Sequence, residues 1–216
     1  MDLPHDWSVE GPPDENAPGA GRVGYFPTGI GWYRKSFRVP ASARNRQVRI
    51  DFDGVYMNSD VWINGHHLGT RPYGYIGFSY DLTPYLRPGE NVIAVRVDNS
   101  RQPNSRYYSG SGITRHSWLT IIDPLHIGRG GTFVTTPRVD SAVATVAVRT
   151  RVENDRASAG RGSVRSVVID ASGREVARIE TAFSLAAHED TIVAQEIEVT
   201  APRLWSVAAP AMYTLR

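Results

Sequence analysis

Four side chains in one short run could bind a ring of hydroxyls. Asn104, Arg106, Tyr107 and Tyr108 stand together and are followed by Ser-Gly-Ser-Gly at 109–112. Arginine offers a rigid fork of donors, asparagine a donor and an acceptor, and tyrosine a flat face with a hydroxyl at its end. A sugar needs both kinds of contact, because its hydroxyls take hydrogen bonds and its C–H faces pack on aromatic rings. Asp98 and Asn99 come just before the run, at the end of an alternating segment. They are candidates either to shape the loop through bonds to its backbone or to touch the ligand themselves. The six candidate substrate-binding residues are therefore Asn104, Arg106, Tyr107, Tyr108, Asn99 and Asp98. The competing reading has the tyrosines packed beneath the loop and Arg115 paired with Asp98.

Other groupings carry less chemistry. Asp51 and Asp53 are two apart, on one face of a strand, and could form a carboxylate pair. The alternation of Val48, Ile50 and Phe52 instead assigns the aspartates to the solvent face. His66 and His67 are adjacent, so in a strand they point to opposite faces and do not chelate one ion. No other histidine or carboxylate grouping has ligand spacing along the chain, and no metal or cofactor is expected. The SGSG run lacks the Lys-Ser/Thr and the helix of a phosphate loop. There is no cysteine, which excludes thiolate catalysis, disulfides and cysteine-bound zinc.

The elements that must hold these residues read as strands. Twenty glycines and 14 prolines punctuate short alternating segments over 216 residues, the pattern of an all-β protein. Residues 1–31 read as an ordered coil lying on a sheet. Strands are expected at 32–39, around 48–52, at 61–63, at 77–81, 91–98 and 117–122, with one helical turn at 83–86. Asn64-Gly65 accommodates the positive φ angles of a type I′ turn and predicts a hairpin. After Gly128-Arg129-Gly130-Gly131 the aromatics thin out. Segments 142–153, 163–170, 174–184 and 190–199 then repeat at about ten-residue spacing, as in a small immunoglobulin-like sandwich. The boundary is placed near residue 131, giving domains 1–130 and 131–216. Trp32, Trp62, Tyr73, Tyr75, Phe78 and Tyr80 fall at strand periodicity and read as core and interface packing rather than as a lectin platform.

Several blocks resemble family 2 glycoside hydrolases, the bacterial β-galactosidases above all. LPHDWS (3–8), GIGWYRKSF (29–37), FDGVYMNSDVWINGHHLG (52–69), PYGYIGFSYDLTPYLRPGENVIAVRVDN (72–99) and NSRYYSGSGITR (104–115) stand in that family's order. RLWSVAAPAMYTLR (203–216) resembles a strand near the end of its immunoglobulin-like domain. The resemblance implies a galactose-binding-like jelly-roll sandwich followed by an immunoglobulin-like sandwich, each lacking an edge strand. It implies a separate catalytic (β/α)8 barrel in cis, whose sugar pocket the 104–115 loop lines, with Arg106 at the terminal sugar. The family's acid/base glutamate follows an asparagine, and no Asn-Glu dipeptide occurs here. The chain is therefore expected to be catalytically silent alone, with a β-linked glycoside, galactoside favoured, as the ligand of the whole enzyme. A free-standing carbohydrate-binding protein and a structural interaction module that self-associates are the alternatives.

The charge balance excludes other classes. The formal net charge is +2 and the basic residues are scattered, without the clustered face a nucleic-acid binder needs. Lys35 is the only lysine. No run reaches the roughly 18 apolar residues of a membrane helix. Residues 1–11 have neither the basic nor the apolar region of a signal peptide.

Overall fold

Side chains that alternate along a strand can bury one face and leave the other wet. A computed structural model, which describes residues 1–105 and 107–216, shows that alternation most plainly in β3, β6 and β12. Unit 1 spans Met1–Ile122 and unit 2 spans Asp123–Arg216.

Unit 1 is built from two antiparallel sheets. The strands are β1 (Gly29–Arg38), β2 (Gln47–Phe52), β3 (Ser59–Ile63), β4 (His66–Arg71), β5 (Phe78–Asp81), β6 (Glu90–Asn99) and β7 (Ser117–Ile122). One sheet runs β1-β6-β3-β4 and the other β5-β2-β7. The inward side chains of both meet in one core: Val61, Ile63, Val95 and Val97 from the first, Ile50, Phe52 and Phe78 from the second, with Val55, Leu82 and Ile113 from the connections. The rings of Phe52 and Phe78 stack at 5.1 Å. The β3–β4 turn has Asn64 at φ 50° and Gly65 at φ 87°, the geometry that Asn-Gly tolerates. A single 3-10 turn, Thr83–Tyr85, stands where the helical turn is expected.

Two sequence expectations change in unit 1. Asp51 is not on a solvent face: it is 8% exposed. Its strand is the middle one of three, and Thr120 on the neighbouring β7 donates a 2.6 Å hydrogen bond to its carboxylate. Of the six aromatics read as packing residues, Phe78 is core, whereas Trp32 is 61% exposed and Tyr73 and Tyr75 are exposed too. In β1 it is Tyr33 that packs against the core, so its neighbour Trp32 faces out, where it stacks on Trp62 at 5.3 Å.

Unit 2 contains β8 (Leu125–Val139), β9 (Val143–Asn154), β10 (Gly160–Ile169), β11 (Glu175–Leu185), β12 (Asp190–Thr200) and β13 (Thr214–Leu215). Its sheets are β12-β9-β8 and β11-β10-β13. Val148, Ile197 and Val199 of the first pack against Val168 of the second. Val152 and Val193 likewise meet Val164 and Leu185. Thr150, Ser166 and Gln195 are polar side chains buried in this interior, Gln195 being the largest. Gln195 accepts from Ser166 Oγ (2.7 Å) and donates to the Val164 carbonyl (2.9 Å) and to Thr181 Oγ1 (3.0 Å), so its burial is compensated.

The boundary lies earlier than residue 131. Gly128–Gly131 is a bulge inside β8, not a linker: Leu125–Ile127 and Thr132–Thr135 both pair with β9, with a register shift between them. Glycine permits such an irregularity, and in sequence it reads as a break between domains.

Replacing Phe52 by Ala should destabilise unit 1 by about 3–5 kcal/mol, the usual cost of deleting a buried ring. Urea unfolding followed by tryptophan fluorescence measures it; unit 2, which contains Trp205 alone, should keep its midpoint.

Candidate functional site

The loop from Asn99 to Arg115 is glycine- and serine-rich, a composition that by itself leaves a chain flexible. Here it is tied at several points. Residues 111–113 lie between the N-terminal segment and Tyr56. His5 N–H donates to the Ile113 carbonyl (2.8 Å) and Trp7 N–H to the Ser111 carbonyl (3.1 Å). On the other side Tyr56 and Gly112 exchange both backbone bonds, at 2.8 and 2.9 Å.

Asp6 is the central anchor. One carboxylate oxygen accepts from the backbone N–H of Ser8 (3.0 Å) and of Ser111 (2.9 Å). The other accepts from the hydroxyl of Tyr108. The first bond caps the 3-10 turn Trp7–Val9; the second and third hold the loop. Burial and the Asp6 carboxylate push the Tyr108 phenol well above the ordinary tyrosine range. Its ring meets Phe26 edge-on at 5.3 Å.

A buried polar set lies behind this anchor. Ser8 Oγ donates to Ser111 Oγ (2.8 Å), which also accepts from Asn99 Nδ2 (2.8 Å). The same amide nitrogen donates to the Gly110 carbonyl (3.0 Å). Asn99 Oδ1 accepts from Gln102 Nε2 (3.0 Å) and Asn104 Nδ2 (2.6 Å). Gly112 makes the crossing possible: at φ 132° a Cβ would run into the Tyr33 hydroxyl and lie 2.7 Å from the His5 carbonyl oxygen. The Tyr33 hydroxyl bonds His5 Nδ1 at 2.7 Å, and burial pushes its phenol up to about 12.

The candidates divide accordingly. Asn99, 2% exposed, is the hub of the loop, with both ends of its amide engaged by the chain. Asp98 faces the other way, paired with Arg96 at 2.8 Å and accepting from the hydroxyl and N–H of Ser100. The Ser100 hydroxyl and Arg96 hold its carboxyl below the usual range. The Asp98–Arg115 pair of the competing reading does not form; Arg115 donates to the Tyr75 carbonyl instead (3.4 Å). Tyr108 is spent on Asp6. Asn104 binds Asn99 and lines, with Arg22, Pro103 and Ser105, an open cleft of about 550 Å³. Tyr107 is 71% exposed, its backbone held by Ser105 Oγ. Arg106 lies outside the described residues. The structure thus brings Asn99, Asn104, Tyr107 and Tyr108 into one loop and leaves Asp98 at its base.

Two further groups belong here that the reading of the loop omitted. Asp6, within the LPHDWS block, was treated as part of a coil; only its distance in space from Ser111, not in sequence, reveals its role. Tyr56, Tyr73 and Tyr75 form an aromatic cluster, with Tyr75 5.1 Å from Tyr56 and 5.7 Å from Tyr73. Burial raises the Tyr75 phenol, as do the nearby Tyr56 and Tyr107. The site therefore offers a loop tied by Asp6 and Asn99, an exposed Tyr107 and an open polar cleft.

Residues 23–120 match the sugar binding domain of glycosyl hydrolases family 2, and residues 125–216 match a second glycosyl hydrolases family 2 domain. The chain belongs to glycosyl hydrolase family 2. Among its family 2 relatives, the β-galactosidase BoGH2A of Bacteroides ovatus is 48% identical over all 216 residues, which are 25% of its length. A β-glucuronidase of Formosa agariphila is 32% identical over 86% of the chain and 21% of the relative. A solved family 2 member from Bacteroides cellulosilyticus superposes with a TM-score of 0.90 at 40% identity, over the whole chain and 28% of that structure. The chain spans about a quarter of the length of the relatives it matches. The expected β-sandwich domains of this family are thus both present.

Asp6→Ala should cost about 2–3 kcal/mol, because it leaves buried donors without their charged acceptor. Hydrogen exchange checks where: the Ser111 amide should lose protection while the β3–β6 amides keep theirs. Tyr33→Phe should remove a phenol that ionises late. Because the folded phenol is raised, its contribution to stability is complete below the ordinary tyrosine value and is lost as pH climbs from there toward about 12. Absorbance titration of the tyrosines should show the late phase shrink.

Proposed function

We propose that this chain is the non-catalytic β-sandwich part of a β-galactosidase-like family 2 enzyme, and that its Asn99–Arg115 loop forms one wall of the sugar pocket of a (β/α)8 barrel in the same enzyme. The observation that carries this is the locking of a Gly/Ser loop by Asp6, Asn99 and Ser111 with Tyr107 left exposed. A buried polar network spent on holding one loop is what a binding wall requires, since a fixed contact loses less freedom when the ligand arrives.

Chemistry is assigned elsewhere than this chain. A retaining glycosidase needs two carboxyls about 5–5.5 Å apart across the glycosidic bond, one of them acidic near neutrality. Asp51 is bound to Thr120 and Asp53 to the Trp118 indole (3.0 Å); these carboxylates stabilise a sheet. In the reading proposed here Tyr107 packs against the sugar's C–H face, Asn104 hydrogen-bonds a hydroxyl, and Arg106 supplies the donor fork at the terminal ring. A β-galactoside is favoured over a β-glucuronide because BoGH2A is the more similar of the two named relatives, 48% against 32%.

Grafting this chain in place of the matching quarter of BoGH2A tests the reading. The graft should hydrolyse an aryl β-galactoside, and the 216-residue chain alone should not. In the graft, Arg106→Ala should lower kcat/KM roughly tenfold to a hundredfold, the loss of a charge-assisted hydrogen bond, with Tyr107→Ala weaker and in KM. Full activity in both variants would place the sugar contact outside this loop, and preference for an aryl β-glucuronide would overturn the substrate class.

A further inference from the structure

Unit 2 contains a grouping of ligand-type side chains that the loop does not use. His126 stands near the start of β8, and Glu153 is its register partner on β9. Directly opposed residues in an antiparallel pair hold their side chains about 5 Å apart. Asp155 follows two residues after Glu153, and its backbone N–H donates to the Pro124 carbonyl (2.7 Å). One nitrogen of His126 and one carboxylate oxygen from each acid all lie within 4.8 Å of one another.

The histidine is what distinguishes this from an acidic patch. Its side chain is 8% exposed, and neither ring nitrogen makes a hydrogen bond among the described residues. Nε2 lies 3.3 Å from Glu153 Oε2 and Nδ1 4.0 Å from Asp155 Oδ2. Those separations are close enough for an ion pair, yet neither meets hydrogen-bond geometry. A buried imidazole with idle nitrogens is costly, and an ion between the ring and the acids would remove that cost.

The geometry suits a small divalent cation. With metal–ligand bonds of about 2.0–2.2 Å, two ligands of a tetrahedral zinc sit about 3.3 Å apart. The Nε2–Oε2 separation already has that value. Asp155 is on the exposed side, with its carboxylate 4.0 Å from the ring. Glu153 is oriented by Arg151, whose Nε lies 3.4 Å from Oε1 and 3.1 Å from Asp190. That ion pair takes the oxygen remote from the ring. Gly128 leaves space for the same carboxylate, since a Cβ there would approach Glu153 Cδ to 3.0 Å.

We propose that His126, Glu153 and Asp155 form a divalent transition-metal site, zinc being the ion that fits its one-nitrogen, two-oxygen set, with water completing the tetrahedron. A single imidazole among carboxylates favours zinc over magnesium or calcium, which prefer all-oxygen cages. The site joins the first residues of β8 to the last of β9, so its role is to staple the edge of unit 2. Binding confined to the folded state raises its stability.

The test is zinc titration of the 216-residue chain by calorimetry, with thermal unfolding in parallel. One zinc per chain should bind and raise the Tm of unit 2, and millimolar magnesium should not displace it. His126→Gln should weaken zinc at least about tenfold and abolish the Tm shift. Asp155→Asn, on the exposed side, keeps the fold and should weaken zinc as well, so the answer does not depend on the buried variant folding. Absence of stoichiometric zinc binding overturns the proposal. So does binding that both variants leave unchanged, because the ion would then sit on other histidines.

Discussion

The position of the Asn99–Arg115 loop depends on one carboxylate. Asp6 takes three donors, one from the turn it caps and two from the loop. A charged acceptor shared by several donors is worth more than the same number of neutral bonds. Behind it, Ser8, Ser111 and Asn99 fill a space where water does not reach, and each supplies the other's missing partner. Loss of one member leaves the remainder unsatisfied, which is why such a set behaves as a unit. The loop backbone at Gly110 and Ser111 is held by side chains from the N-terminal segment and from the last residue of β6.

The sandwich beneath supplies the fixed frame. Antiparallel pairing of β1, β6 and β3 puts Val61, Val95 and Val97 inward, and the same alternation brings Asn99 to the end of β6 with its side chain inside. The residue that ends the strand is therefore the one able to reach back under the loop. The outer face of this sheet is not apolar but mixed: Trp32 and Trp62 stack there next to the Asp60–Arg96–Asp98 pairs. Thr70, His67 and Arg96 outweigh partial burial and keep the Asp60 carboxyl below its usual range. Asp98 belongs to that charged surface.

Unit 2 shows how an interior tolerates polarity when every atom is matched. Gln195 occupies a position that alternation assigns to an apolar residue, between Val193 and Ile197, and satisfies both ends of its amide across the two sheets. His126 presents the opposite case, a ring enclosed beside two acids without a bond.

Much of this was legible in the chain. Period-two alternation and glycine punctuation located nearly every strand, because a half-buried strand has to alternate whatever its neighbours are. Asn64-Gly65 named its turn for an equally local reason, the φ angles only such residues adopt easily. The blocks 3–8 and 104–115 pointed to the family, and Asn104, Tyr107 and Tyr108 to one loop. What stayed hidden was pairing over distance. That Asp6 meets Ser111, that Asp51 is covered by Thr120, that Trp32 faces out while Tyr33 faces in, and that His126 lies opposite Glu153 all depend on register and strand order. Residues 105 positions apart carry no local mark of their contact, since a hydrogen bond constrains separation in space and not along the chain. Local geometry therefore wrote the elements into the sequence, and the tertiary arrangement alone decided which side chains hold the loop and which remain to meet a ligand.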